Sequence, residues 1–540
     1  MSLVLYRNGS IYSPADPFAT AMLVENGTVA WIGSESAAGA LLDDRMNEID
    51  LQGALVAPAF VDSHVHLGAL GAKLGGLDLG ALNSAQEILD AVAAAAAAQS
   101  SGIILGSGWD ETRFADATLP TLEQLGNAAG GRAVYLARVD VHSALVSPAL
   151  AQQYGLEPGA EFSGALVSGR SHATLRSSVF AYDAATNSAH RERALAHLAS
   201  TGHGTVVEMA AEGISGRADL EALLGRSAEV QAATPAVYAY WGQAVTQEQE
   251  ARTLFDSFKS PALIGLGGDL NIDGSIGSRS ALLRADYTDA PGQKGNSYLS
   301  VEQISAHVAA CSLVGIQAAF HVIGDAGLDL ALEGFAKAAE QVGIAAVQSG
   351  RHRLEHVEMV DDVQRAKMLN FSLTASMQPQ FDAAWGGEGN LYEQRLGAER
   401  AAGMNAIGKF LSAGVPVTIG SDAPVTGTNP WASVKACLEL NDPSSRISAK
   451  AAFMAHTRSG FRALGEPNPL AGQLVTGAEA TFAIWSASEL TVQTPDIRVS
   501  SWSTDARAGT PMLPVLEGEL PVCLRTVRAG TTLFDAMNSN

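Results

Sequence analysis

An apolar run near the start of the chain ends in Asp62-Ser63-His64-Val65-His66. Residues two apart on an extended backbone point the same way, so His64 and His66 present two imidazoles on one face, as a metal ion requires. Three more polar residues repeat the pattern: His321 ends the run IQAAF, His356 ends RHRLE, and Asp422 ends PVTIGS. Each has an ordinary explanation by itself, as a hydrogen-bonded core histidine or an aspartate capping the next helix. Four imidazoles and one carboxylate at the same end of strand-like runs are hard to obtain by five separate coincidences. Neutral imidazole and carboxylate together suit a borderline divalent cation such as zinc, bound as one ion or two, with positions left for water.

Positioning these side chains is a task for strands. Eight apolar runs have strand character: ALVAPAFVDSHVH, GTVVEMA, PAVYAYW, LIGLGGDLNIDG, GIQAAFHVIGD, HRLEHVEM, FSLTASMQPQ and VPVTIGSDAPV. Between most of them lie Ala/Leu-rich segments with charges at helical spacing, such as GLDLALEGFAKAAEQVG and VDDVQRAKML. That alternation predicts an α/β fold with a distorted (β/α)8 TIM-like barrel, whose functional residues collect at the C-terminal ends of the strands. The segment at about 68–193 is too long for one connection and carries its own strand-like runs, IILGSGW and AVYLARVDV. It is expected to be an insertion after the first barrel strand. Hairpin signals at Asn8-Gly9 and Asn26-Gly27, and a β-rich stretch near the C-terminus, predict a small β-sandwich built from both chain ends. The expected boundaries are 1–57 and 476–540 for the sandwich and 58–475 for the barrel.

The 540 residues carry 34 Lys+Arg against 56 Asp+Glu, a net charge of −22. Such a chain has no electrostatic grip on a phosphate backbone, which argues against nucleic acid as a partner. Cys311, Cys437 and Cys523 are far apart and suggest neither a disulfide framework nor a cysteine zinc site. With no signal-peptide pattern at the N-terminus and the long uncharged stretches interrupted by polar residues, a cytoplasmic protein without a membrane span is expected. A small-molecule substrate and a possible homodimer complete that expectation.

PAFVDSHVH, AAFHVIGDAG, HRLEHVEMV, SMQPQFD and TIGSDAPVTGTNP resemble the signature segments of the amidohydrolase superfamily. GSGWDETRF, ARVDVHSALVSPAL and IDGSIGSRSALL are similar to segments of its branch containing N-substituted formamide deformylases and related metal-dependent hydrolases. The resemblance implies that His64 and His66 hold the more buried metal. His321 and His356 would hold a second or complete a single site, and Asp422 would ligate metal and handle the hydrolytic proton. It also implies that Arg138 and His142 reach the substrate or its oxyanion. The chain departs from the family in one place. A lysine commonly found four residues before the Asp-Gly of IDGS is here Asp269, and none of the eight lysines lies between Lys259 and Lys294. Asp269 could bridge two ions as a carboxylate, or the site could hold one; Glu208, in GTVVEMA, is a further carboxylate at a strand end.

The activity this implies is hydrolysis of a C–N bond in an amide, N-formyl or N-acyl compound. Alternatives are a ring amidohydrolase or deaminase of the same superfamily, or a metal-binding barrel that regulates without turnover. The resemblance implies, for many deaminases of the superfamily, a glutamate shortly after the fifth-strand histidine; here the segment is His321-Val322-Ile323-Gly324-Asp325, which speaks against deamination. A carboxylate at Asp422 speaks against a barrel without catalysis.

Overall fold

A computed structural model describes residues 2–98, 102–116, 118–139, 141, 143–227, 233–487, 489–493, 502–503 and 511–537. Eight parallel strands form one sheet: β1 (Phe60–Val65), β2 (His203–Ala210), β3 (Ala236–Trp241), β4 (Leu263–Leu266), β5 (Gln317–Val322), β6 (Arg353–His356), β7 (Thr374–Met377) and β8 (Val417–Ile419). Each strand pairs in parallel with the next, from β1 through to β8. Every residue of β1 and β2 is buried, as expected of parallel strands covered on both faces. Side chains draw the last strand back to the first. The Ser63 and Thr418 hydroxyls lie 2.6 Å apart, and the Asp422 amide donates to the His64 carbonyl at 2.8 Å. The fold is a nearly closed TIM-like barrel.

Long helices return the chain between strands. One is α1 (Asp325–Val342), whose Leu328, Ala331, Leu332, Phe335 and Ala338 form its buried stripe at helical spacing. The two chain ends share one further sheet. Leu55–Pro58 runs antiparallel to Phe482–Ser486, which pairs in turn with Val522–Arg528. Tyr6, Met22, Val56, Phe482, Ile484 and Val527 form the core beneath it.

The chain divides into two compact units. One comprises Met1–Val65, Leu195–Asp422 and Thr426–Asn540, and the other His66–Ala194 with Ala423–Val425. The second unit has a six-stranded mixed sheet of its own, on which the helix Ala85–Ala98 packs Ile88, Leu89 and Val92 against Ile104, Val134 and Leu136. Among the described residues no helix is long and apolar enough to cross a membrane. Cys311, Cys437 and Cys523 are all buried free thiols.

Candidate metal centre

Within the barrel unit, His64 on β1, His321 on β5 and His356 on β6 converge with Asp269 and Asp422. Two overlapping groups, His64/His356/Asp422 and Asp269/His321/His356, each bring their potential ligand atoms within 4.8 Å of one another. The His64 and His356 rings are 5.0 Å apart and those of His356 and His321 4.5 Å. Local backbone explains how the side chains arrive there. β4 ends at Gly267 and Gly268, both in the left-handed region, and a Cβ on Gly267 would lie 1.8 Å from the Ala319 carbonyl oxygen. That glycine turn stops the strand and sets the direction of Asp269. His356 (φ 71) and Asp422 (φ 51) also adopt left-handed backbone, an uncommon conformation that persists where its surroundings over-determine it. For Asp422 the surroundings are visible. Buried Asp62 accepts from the Ser421 amide at 2.9 Å and its hydroxyl at 2.6 Å, stitching the end of β8 to β1.

Each imidazole has one nitrogen committed elsewhere. His64 Nδ1 donates to Glu355 Oε2 at 2.9 Å, His356 Nδ1 to Gln378 Oε1 at 2.8 Å, and His321 Nε2 to the Gly274 carbonyl at 3.2 Å. Such an acceptor fixes the tautomer and turns the other nitrogen's lone pair away from it. His64 Nε2 accordingly lies 3.4 Å from Asp422 and 3.6 Å from Asp269, and His321 Nδ1 lies 3.9 Å from the same Asp269 oxygen. Lone pairs facing carboxylate oxygens at these separations attract a cation. Burial works against a charge on His64, yet Asp422, Asp269 and Glu355 together outweigh it and hold the imidazole above its ordinary value. The donor set and the field therefore both fit a divalent ion. His356 is pushed down to about 4 by burial and then by its neighbour His321.

The Gly274 carbonyl is presented by a loop that Asp273 pins to the end of β5. Its carboxylate accepts from the amides of Leu282 (2.8 Å), Ile323 (2.9 Å) and Gly324 (2.8 Å), while burial pushes its pKa up to about 6. Asp325 fastens the same region by accepting from the Arg284 amide at 2.9 Å. On the other flank the Phe381 ring, in α2 (Pro379–Trp385), stacks on His356 at 6.0 Å.

The remaining expected residues lie as follows. His66 begins the second unit at the N-cap of the helix Leu67–Leu74, two residues after His64. Glu208 is buried on β2, and neither group above includes it. Arg138 ends the strand Val134–Arg138 and donates to Glu111 at 2.9 Å and Asp110 at 3.2 Å. Trp109, within the GSGWDETRF segment, is buried and its indole donates to the Leu136 carbonyl at 2.8 Å. His142 lies outside the described residues.

Sequence reasoning missed Arg353, Glu355, Gln378 and Asp62. Arg353 and Glu355 are fully buried and paired at 2.5 Å. Their spacing of two, on a strand with a leucine between, was the available signal: charges alternating on one face of a buried strand must meet partners inside. Arg353 and Glu355 each hold the other in its charged form against the cost of burial. Burial would raise the Glu355 carboxyl, but Arg353 and His64 hold it down at about 2. Removing one member of such a pair strands the other charge, at ~3–5 kcal/mol.

The amidohydrolase family profile matches residues 47–534. The chain is 25% identical to protein LONG AFTER FAR-RED 3 of Arabidopsis thaliana, over 93% of this chain and 90% of that protein. It is 21% identical to N-substituted formamide deformylase of Arthrobacter pascens, over 92% and 95%. Among solved structures, an uncharacterized metal-dependent hydrolase from Pyrococcus furiosus superposes with a TM-score of 0.70 at 27% identity, covering 89% of this chain and 98% of that one.

Proposed function

The chain belongs to the amidohydrolase family, and from that membership and the geometry of the centre we propose a metal-dependent hydrolase that cleaves a carbon–nitrogen bond in a small amide-type molecule, an N-formyl or N-acyl amine. The observation that carries this reading is the convergence of three tautomer-fixed imidazoles on two carboxylates at the C-terminal ends of barrel strands. The similarity to a protein named as an N-substituted formamide deformylase supports the choice of substrate class.

His64, His321 and His356, with His66 as the second imidazole of the H-x-H pair, would hold zinc. Asp269 Oδ1 lies 3.6 Å from His64 and 3.9 Å from His321, and its carboxylate would help hold the ion where the family commonly has a lysine. The chemistry such an ion supplies is a water of lowered pKa, from ~15.7 toward ~7, and a polarised scissile carbonyl. Asp422, held at the centre by its own amide's bond to the His64 carbonyl, takes the proton from the attacking water and returns it to the leaving amine. Carboxylate and amine are the products.

The reading is tested by metal analysis of the purified protein together with turnover of a panel of N-formyl and N-acyl amines. One or two equivalents of a divalent ion and amine release are expected. Full metal occupancy with no turnover across amides and esters would overturn it.

A further inference from the structure

We propose that the buried Arg353–Glu355 pair sets the metal affinity of the centre through His64, which makes Glu355 a positioning residue rather than a catalytic one. This rests on the reading above that the centre holds a divalent ion. Of the three acceptors that orient the imidazoles, a carboxylate serves His64, whereas an amide oxygen serves His356 and a main-chain carbonyl serves His321. An anionic acceptor on Nδ1–H strengthens the opposite nitrogen as a donor to metal more than a neutral acceptor does. His64 is therefore the strongest of these three ligands, and an ion resting on it is held more tightly than one resting on His321 and His356.

Arg353 makes this arrangement rigid. Its guanidinium binds both Glu355 oxygens, at 2.5 and 2.9 Å, the Ser376 hydroxyl at 2.9 Å, and the carbonyl of Ser63, the residue preceding His64. It also sits over the Tyr240 ring at 5.2 Å. One cation thus grips the main chain beside His64 while its carboxylate partner grips the imidazole itself. Strands β1, β3, β6 and β7 all meet at this guanidinium, so His64 cannot rotate without disturbing the barrel interior. A pair serving packing alone would have no need to spend a carboxylate oxygen on the imidazole.

The test compares full-length wild type with Glu355→Gln. Gln keeps an oxygen for His64 and removes the charge. Zn2+ affinity is measured by competition with a chromogenic chelator, and Co2+-substituted protein supplies the visible absorption of the ligand field; circular dichroism confirms folding. The expected result is Zn2+ binding weakened 10–100-fold with an altered Co2+ spectrum. The double variant Arg353→Met/Glu355→Gln, which leaves no unpaired charge, is expected to show the same loss. A folded single or double variant with wild-type Zn2+ affinity and an unchanged Co2+ spectrum would overturn the inference while leaving the metallohydrolase reading intact. A wild type that binds no divalent ion would overturn both.

Discussion

The short segment His352-Arg353-Leu354-Glu355-His356 contains two histidines that are equally buried and put to different use. His352 accepts the Ala318 amide at Nδ1 (2.8 Å) and meets the Ser312 hydroxyl at Nε2 (2.9 Å). His307 is alike, accepting from the Val245 amide at 3.1 Å and donating to the Leu266 carbonyl at 3.2 Å. Both rings of that pair have each nitrogen matched to a neutral partner, and they act as hydrogen-bonded cross-links between helix and strand. His356 has one nitrogen matched to Gln378, and its ring lies against His64, His321 and Phe381. Burial pushes His352 down to about 3 and His356 to about 4, so a depressed pKa does not distinguish them. The partners do: a cross-linking histidine has both nitrogens matched to neutral partners, and a ligand-type histidine has one nitrogen matched and its ring at a centre shared with carboxylates.

The sharpest way to break that distinction is at Asp422. Asp422→Asn is expected to lower turnover by ~10²–10⁴-fold while retaining most bound metal, measured by steady-state kinetics and metal analysis. Unchanged turnover would remove Asp422 from the chemistry. Next in size is the 10–100-fold weakening of Zn2+ binding expected for Glu355→Gln, read by chelator competition. At the cross-linking site the effect should fall on stability instead. His352→Gln is expected to cost ~1–3 kcal/mol in denaturant unfolding, with Zn2+ affinity and turnover unchanged. A loss of metal in that variant would merge the two classes.

An effect of similar size is expected in the pH dependence. The folded-state pKa of His352 lies below its unfolded value of ~6.5. Above that pH the ring is neutral in both states and contributes nothing. As pH falls below it, the unfolded chain binds a proton that the folded chain refuses, and stability is lost progressively down to about 3. The slope is ~1.4 kcal/mol per pH unit for one such group. Unfolding free energy measured between pH 6.5 and 4.5 should therefore fall less steeply in His352→Gln than in wild type.

The barrel was legible because its eight strands are apolar runs separated by amphipathic helices, and parallel strands covered on both faces leave that trace. The convergence of His64, His321, His356 and Asp422 was legible for a related reason: polar residues at the ends of such runs have few places to go. Arg353 and Glu355 were not read, because a charged residue in a sequence is ordinarily taken as exposed, and burial depends on the partner across the barrel. Gln378 and Asp62 carry no local mark either, since their acceptor roles exist only once β6 meets α2 and β8 meets β1. The direction of Asp269 depends on the backbone of Gly267 and Gly268, which composition does not reveal. His352 and His356, four residues apart, could be separated by motif but not by physics until their hydrogen-bond partners were known.

The most direct test of the account is the divalent metal content of three full-length proteins, wild type, His356→Ala and His352→Gln, purified and equilibrated with Zn2+ in parallel. The account predicts at least one equivalent in wild type and in His352→Gln, and a loss of metal in His356→Ala. Equal metal in all three, or none in wild type, would contradict it.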